Sequence, residues 1–251
     1  MSQALHAEWT KLRTIPSTGW LLLACIALTV ALSFVVAAAV ICPSTGCELD
    51  PARVSLSGIV LGQAVVVVLA VLAMTGEYSS GMIRITLAAT PRRITVLAAK
   101  AAVLTGAVLV AGSIAVLGSV LAGHVILPGH GLLLSLTDGP VLRAAAGSVF
   151  YLALIALLSL GVATAVRDSA VAIGVVLALL YLFPILAQVV TETDWQQRLQ
   201  QIGPMTAGLA IQATTGLKSL PISPWAGLGV LAAWAVTALM VGALLLWLRD
   251  A

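Results

Sequence analysis

The sequence predicts an all-α, polytopic membrane protein with six transmembrane helices. Apolar residues make up 61% of its 251 residues, and the mean hydropathy is +1.14. Only 8% of the residues are charged, whereas soluble domains carry about 25%, so there is too little polar surface to face water. The long uncharged intervals lack the alternation of barrel strands, and each can hold the roughly 20 residues of a spanning helix.

Six intervals that carry no charged residue, apart from Lys100 near the start of the third, give the predicted spans. They lie at 20–41, 55–75, 96–123, 145–166, 170–190 and 226–248. A seventh uncharged interval, 199–217, holds three Gln, three Gly, three Thr and Pro204. Lipid-exposed backbone must satisfy its own hydrogen bonds, and this composition is poorly suited to that. Residues 191–224 are therefore expected not to span, and to be re-entrant or to lie at the interface.

The distribution of Lys and Arg predicts the orientation, because cytoplasmic loops carry an excess of these residues. Both termini, residues 76–95 and the Arg167–Asp168 turn are expected in the cytoplasm, and the protein in the cell (plasma) membrane. Eight basic residues fall on the predicted cytoplasmic side and four on the other: Lys11, Arg13, Arg84, Arg92, Arg93, Lys100, Arg167 and Arg249 against Arg53, Arg143, Arg198 and Lys218.

Residues 1–15 precede the first span and are too charged to cross the membrane. Leu5, Trp9 and Leu12 share one helical face, which favours an interfacial helix leading into the first span. The alternative is an ordinary basic flank that only sets orientation. The 22 apolar residues at 20–41 exceed the about 7–15 of a signal-peptide core, so no cleaved signal is predicted.

Cysteines and glycines add three weaker expectations. Cys42 and Cys47 fall in the predicted outer loop, where a disulfide is permitted, and two free thiols are the open alternative. Cys25 is expected to be a packed helix residue. Gly58 and Gly62 form a GxxxG pattern, for which packing within the chain is favoured over a dimer face.

No constellation of residues indicates an enzyme. The predicted spans contain no Asp or Glu, and Lys100 is expected to extend its amine to the membrane surface. His124 and His130 lack the Cys or carboxylate neighbours of a metal site. Leu217 interrupts what would resemble a phosphate-binding loop, and no Gly-x-Ser-x-Gly is present. An intramembrane protease or lipid transferase is therefore disfavoured, no cofactor or nucleic-acid partner is expected, and energy must come from another chain.

The stretch GEYSSGMIRITLAATPRR, residues 76–93, concentrates charge between two apolar runs. Placing its three arginines in hydrocarbon would cost about 2.5–3.5 kcal/mol each, so it must lie at or outside the interface. Ile83 and Leu87 share a helical face, and Thr90-Pro91 fits the start of the third long helix. Residues 77–90 are therefore predicted to form a short cytoplasmic helix whose apolar side is covered by the membrane or by a partner.

This stretch resembles permeases of the ABC-2 transporter type, in their actinobacterial style. The pattern is Glu77-Tyr78-x-x-Gly81-x-Ile83-Arg84-x-x-Leu87-x-x-x-Pro91-Arg92-Arg93, followed by Lys100. Weaker similarities are Ala7-Glu8-Trp9-Thr10-Lys11-Leu12-Arg13, the run from Trp195 to Pro204, and the closing Arg249-Asp250-Ala251. The resemblance covers essentially the whole chain, and the block from Glu77 to Lys100 is its most specific part.

The resemblance implies a membrane subunit that pairs with a second permease, as a homodimer or heterodimer, and sits on two ABC ATPase subunits that bind ATP and Mg²⁺. Residues 77–90 would be the coupling helix, residues 1–15 the elbow helix, and 191–224 an external hairpin. Ile83, Arg84 and Leu87 would dock on the ATPase, and Glu77 with Arg92 or Arg93 would hold the coupling helix by charge contacts. The implied sets are Glu77, Tyr78, Gly81, Ile83, Arg84, Leu87, Pro91, Arg92 and Arg93 for docking, and Glu8, Trp9, Lys11 and Arg13 for the elbow helix.

Two questions of role stay open at this stage. Arg92, Arg93 and Lys100 could serve only to enforce orientation. The expected function is export of a drug, antibiotic, peptide or other amphipathic molecule across the membrane, since the predicted spans offer apolar rather than charged surfaces. The alternative is a non-transporting membrane partner of an ATPase, with an immunity or sensory role.

Overall fold

The structure is a computed structural model, and it describes residues 2–40, 49–79, 81–82, 93–130, 132, 134, 138–189 and 192–248, without the side chains of 2–4, 93, 130 and 193. The described part is helical throughout, with short connections. Its α-helices are α1 (Ser2–Thr14), α2 (Pro16–Ala38), α3 (Pro51–Ser55), α4 (Ile59–Ser79), α5 (Arg93–Ile126), α6 (Gly139–Val166), α7 (Ser169–Val189), α8 (Thr193–Ile202), α9 (Pro204–Leu209) and α10 (Pro224–Leu248).

Six of these helices, α2, α4, α5, α6, α7 and α10, are long and apolar enough to cross a membrane. The prediction of an all-α fold with six such helices is confirmed, and the chain is a multi-pass membrane protein. An even number of crossings brings the start of α1 and the end of α10 to the same side. We call that side of the bundle the terminal end, and the other side the far end.

Prolines and short polar residues decide where several helices begin. Proline is the first residue of α2, α3, α9 and α10, where its fixed φ suits the first helical turn and its missing N–H is not needed. Asp50 precedes α3 and accepts a hydrogen bond from the Ala52 amide at 3.1 Å. Asp168 caps α7 in the same way, accepting from the Val171 amide at 2.9 Å.

Helices α4 and α6 form the centre of the bundle, because they bury the largest share of their length. Helix α6 packs against α4, α5, α7 and α10, and α2 packs against α4 and α5. The outer helices expose large apolar side chains such as Trp20, Val110, Ile185 and Met240. These faces suit hydrocarbon rather than water.

The ends of the helices differ from the ends of the predicted spans. Helix α4 continues to Ser79, so Glu77 and Tyr78 belong to its last turn, and α5 covers Arg93–Ile126. A span predicted from hydropathy stops at the first polar residues. Such residues can continue the helix beyond the hydrocarbon, so the predicted span stops before the helix does. Helix α4 therefore carries one acidic residue, Glu77, just beyond the predicted span 55–75, which itself contains no Asp or Glu.

Glycines allow α2 and α4 to approach closely. A Cβ on Gly58 would lie 1.9 Å from the Thr29 carbonyl oxygen, and a Cβ on Gly62 would lie 2.1 Å from Thr29 Oγ1. Both glycines of the GxxxG pattern thus contact a helix of the same chain. The prediction that they serve packing within the chain is confirmed.

Residues 192–223 connect α7 to α10 through short helices, of which α8 and α9 are the α-helical ones, and none is long enough to span. The connection is fixed at the far end by Asp50, whose carboxylate accepts from the Thr214 amide at 2.5 Å, its hydroxyl at 2.6 Å and the Thr215 amide at 3.0 Å. Arg143 Nη2 donates to the Ala213 carbonyl at 2.5 Å. Burial would raise the pKa of Asp50, but the hydrogen bonds from Thr214 and its neighbours outweigh burial and lower it below the ordinary value.

We expect Asp50→Asn to destabilise the chain by about 1–3 kcal/mol, because hydrogen bonds to a charged acceptor are worth about 1.5–3 kcal/mol and those to a neutral one about 0.5–1.5. A lowered folded-state pKa means that the stabilisation is present at neutral pH and is lost as pH falls through that pKa. The gap in thermal stability between wild type and variant should therefore shrink below about pH 4.

Thermal unfolding of the purified chain in detergent, followed over a series of pH values, measures this gap. Asp138→Asn is the matched control, since Asp138 is exposed and makes no side-chain cap hydrogen bond at the start of α6. Equal losses in the two variants, or a gap that does not change with pH, would contradict the role given to Asp50.

A polar contact also links the central helices near the far end. The Tyr151 hydroxyl of α6 donates to Gln63 Oε1 of α4, and Gln63 Nε2 donates to Met205 Sδ of α9 at 3.3 Å. Gln63 and Tyr151 are fully buried. Gln63 is therefore a residue that hydrogen-bonds one helix to another.

Candidate functional site

Three helices meet at the terminal end of the bundle, and charged residues lie where they meet. Helix α1 packs against α5 and α2, so its polar side is turned toward the last turn of α4 and the first turns of α5. Glu8 and Lys11 come from α1, Glu77 from α4 and Lys100 from α5. We call these four residues the charged cluster.

The four side chains form a continuous set of ion pairs. Lys100 Nζ lies 2.7 Å from Glu8 Oε2 and 2.8 Å from Glu77 Oε1, and it also donates to the Ala73 carbonyl at 3.1 Å. Lys11 Nζ lies 2.7 Å from Glu8 Oε1 and 2.8 Å from Glu77 Oε1. Each lysine therefore bridges the two glutamates, and the cluster has no net formal charge.

Burial makes this cluster different from a surface ion pair. Glu8, Glu77 and Lys100 are 6%, 5% and 6% exposed. Burial alone would lower the pKa of Lys11, but its hydrogen bonds to Glu77 and Glu8 outweigh burial and raise the pKa above its ordinary value. Removing one partner from a buried ion pair costs about 3–5 kcal/mol, so the cluster holds α1, α4 and α5 to one another.

A cavity of about 430 Å³ lies beside the charged cluster, between α1, α2, α4 and α5. All four members of the cluster line it. The rest of its wall is mainly apolar, and includes Leu12, Ile15, Leu21, Leu69, Leu72, Met82, Val103 and Leu104. Pockets of about 300–1,000 Å³ are the usual size for small-molecule sites.

The turn between α6 and α7 also contacts the end of α4. Arg167 ends α6 with a left-handed φ of 65°, a conformation that is uncommon for residues other than glycine. Its guanidinium carbon lies 5.3 Å from the ring centre of Tyr78, within the range of a cation–π contact. The last turn of α4 is therefore held on one side by α1 and α5 and on another by Arg167.

The structure brings some of the predicted site residues together and leaves others apart. Glu8, Lys11 and Glu77 are in direct contact, and Tyr78 contacts Arg167. Trp9 and Arg13 are exposed on α1, and Gly81 has a φ of +70°, which favours glycine. The docking residues Ile83, Arg84, Leu87, Pro91 and Arg92, the side chain of Arg93, and Cys42 and Cys47 lie outside the described residues, whereas Cys25 is buried as expected.

The predicted environment of Lys100 is wrong. It was expected to extend toward the surface, but it lies buried between two carboxylates that replace the hydrogen bonds of water. Lys100 is 92 residues from Glu8 and 23 from Glu77, and no local pattern shows such contacts. The signal that could have found it is the presence of two acidic and two basic residues close to helix ends on one predicted side.

Comparison with known proteins adds no assignment to this geometry. No protein-family model matches the chain, and no curated protein matches it.

Proposed function

We propose that this chain is the membrane subunit of an ATP-driven ABC transporter, in which a separate ATPase docks on the segment between α4 and α5. Its cargo is a drug, antibiotic, peptide or other amphipathic molecule, and the direction is outward. Two such permeases, alike or different, pair on two ATPase subunits that bind ATP and Mg²⁺. In this arrangement the terminal end faces the cytoplasm and residues 192–223 lie outside the plasma membrane.

The observation that carries the proposal is the charged cluster. The segment between α4 and α5 is flanked by Glu77 on one side and Lys100 on the other, and both are joined to α1 through Glu8 and Lys11. A force on that segment would therefore move α1, α4 and α5 as one unit rather than bending a loop. Energy coupling to an external ATPase requires such a connection. The ATPase can shift the permease from one conformation to another only if its interaction with the permease differs between the two conformations.

A second observation supports the same function. Through Tyr78 the end of α4 also contacts Arg167, at the turn between the central helix α6 and α7. Motion of the docking segment would thus reach both the outer helices and the centre of the bundle. The apolar helices offer a path along their surfaces for an amphipathic cargo.

Co-expression with the ATPase encoded beside it tests the function directly. We expect a complex of two permeases and two ATPases whose ATP hydrolysis is stimulated by cargo. A complex that hydrolyses ATP but moves no molecule into or out of proteoliposomes would favour the non-transporting membrane partner with an immunity or sensory role. Failure of any ATPase to associate would reject both.

We expect Ile83→Asp combined with Leu87→Asp to lower ATP-driven transport by about tenfold or more while the chain still inserts in the membrane. Truncating or charging a central interface residue costs 2 kcal/mol or more, which is over tenfold in affinity. Transport and ATPase association in proteoliposomes are the measurements. The matched control is Ile202→Asp with Leu217→Asp, two exposed apolar residues of the far end, which should leave association unchanged. Equal association of the two double variants would overturn the docking assignment.

A further inference from the structure

The cavity beside the charged cluster is lined by charged and by apolar residues. The two carboxylate oxygens of Glu77 in its wall differ in their hydrogen bonds. Glu77 Oε1 accepts from both lysines, whereas Glu77 Oε2 accepts no hydrogen bond from any group in the described part of the chain. The residue is 5% exposed and lines the cavity. A buried acceptor without a donor costs about 1–3 kcal/mol, and more when it is charged. Because Oε2 itself has almost no accessible surface, a donor in the cavity would reach it and remove that cost after a small shift of the Glu77 side chain.

The two lysines of the cluster already use their ammonium groups in hydrogen bonds within the chain. An ammonium group has three donors, and Lys100 Nζ uses three, on Glu8 Oε2, Glu77 Oε1 and the Ala73 carbonyl. Lys11 Nζ already bonds both glutamates. A phosphate or carboxylate would have to displace these ion pairs, whereas a cationic donor would add to them. The open position in the cluster therefore favours a positive ligand group.

The rest of the cavity has room for several waters but is too apolar to hold them in place. Its volume of about 430 Å³ far exceeds the roughly 30 Å³ that one water occupies in the liquid. A water near Glu77 Oε2 could donate to it, but waters next to Leu21, Leu72 or Val103 would lack the two to four polar partners that hold a buried water. An alkyl or aromatic group fits this part of the wall better.

We propose that this cavity is a binding site for a primary amine carried on an apolar body, with the ammonium donating to Glu77 Oε2 and the apolar part lying against Leu21, Leu72 and Val103. Both ion pairs of Glu77 use Oε1, so an ammonium on Oε2 does not compete with the lysines for the same oxygen. Such an amine comes either from a free lipophilic molecule or from the headgroup of an aminophospholipid. The site does not depend on the proposed function, because it requires only this chain in a membrane.

Binding of radiolabelled dodecylamine to the purified full chain, in nanodiscs of phosphatidylcholine with empty nanodiscs subtracted, tests the site. We expect saturable binding to the wild type. Dodecyltrimethylammonium, which has the same charge but no N–H donor, and dodecyl sulfate, which is anionic, should compete at least about tenfold more weakly, since a charge-assisted hydrogen bond is worth about 1.5–3 kcal/mol.

Two variants separate the ends of the site. Glu77→Gln removes the charged acceptor and should weaken dodecylamine binding by about tenfold or more. Leu72→Trp fills the apolar part without touching the charged cluster and should weaken it similarly. Leu61→Trp is the matched control, because Leu61 lies on the same helix, is 39% exposed against 41% for Leu72, and does not line the cavity.

Nanodiscs that contain phosphatidylethanolamine distinguish the two sources of the amine. Competition by this lipid would identify its headgroup as a ligand, and binding of dodecylamine without such competition would assign the site to free amines. Binding that does not saturate, or that is equal in the wild type, Leu72→Trp and Leu61→Trp, would show partition into the bilayer only and overturn the proposal. That result would leave the docking test of residues 83 and 87 unaffected.

Discussion

Replacing Lys100 by methionine is expected to destabilise the chain by about 3–5 kcal/mol, the usual cost of removing one partner from a buried ion pair. Methionine keeps an unbranched side chain in the same space but has no ammonium group. The two carboxylates of Glu8 and Glu77 would then share Lys11 alone, in a site where each is less than a tenth exposed. The Ala73 carbonyl would also lose its contact with Lys100 Nζ at 3.1 Å.

Thermal unfolding in detergent, followed by tryptophan fluorescence, measures the loss. One kcal/mol corresponds to about 2–4 °C for a chain of this size, so the midpoint should fall by about 10 °C. Lys218→Met is the matched control, because Lys218 is exposed on a short helix of the far end. Such a surface change should stay within about 0.5 kcal/mol of the wild type.

A double-mutant cycle distinguishes loss of charge balance from loss of packing. Adding Glu77→Gln to Lys100→Met leaves Glu8 and Lys11 as a neutral pair, so the double variant should be more stable than the sum of the single losses predicts. Purely additive effects would contradict the description of the four residues as one cluster. Equal stability of Lys100→Met and Lys218→Met would contradict the burial of the ion pairs.

The helices of this chain were largely predictable and the cluster was not, for different physical reasons. An apolar run of about 20 residues has few alternatives to a spanning helix, so composition alone indicates α2, α4, α5, α6, α7 and α10. The ends are less certain, since Glu77 and Tyr78 continue α4 where a hydropathy window stops. Asp50 and Arg143, which fix residues 213–215, likewise become visible only in three dimensions.

The charged cluster depends on the rotation of three helices about their own axes, and hydropathy carries no information on rotation. Glu8 and Lys11 are three residues apart on one helix, which favours a local pair. Their shared contacts with Glu77 and Lys100 arise only when α1 lies across the ends of α4 and α5. The same limit applies to the cavity, whose apolar wall is drawn from residues that are individually ordinary for a membrane helix.

We expect Gly161→Ala to destabilise the chain by about 1–3 kcal/mol, the usual cost of overpacking, although alanine is a better helix former. A Cβ on Gly161 of α6 would lie 2.5 Å from the Ala238 carbonyl carbon and 2.6 Å from the Leu239 amide nitrogen of α10. Because these are backbone atoms, no side chain can rotate away, and the two helices would have to separate. Separation would also reduce the packing of α10 on the central helix.

Gly174→Ala is the matched control, since Gly174 lies within α7 and a Cβ there would meet nothing within 4 Å. Alanine at this position should stabilise the helix by up to about 1 kcal/mol, so the two variants should shift the unfolding midpoint in opposite directions. Gly242 contributes the reciprocal contact, because its Cβ would lie 2.7 Å from the Gly161 carbonyl oxygen. Once Gly161→Ala has separated the helices, Gly242→Ala should cost less than it does alone. A rise of the midpoint in both Gly161→Ala and Gly174→Ala would show that α6 and α10 are not in backbone contact.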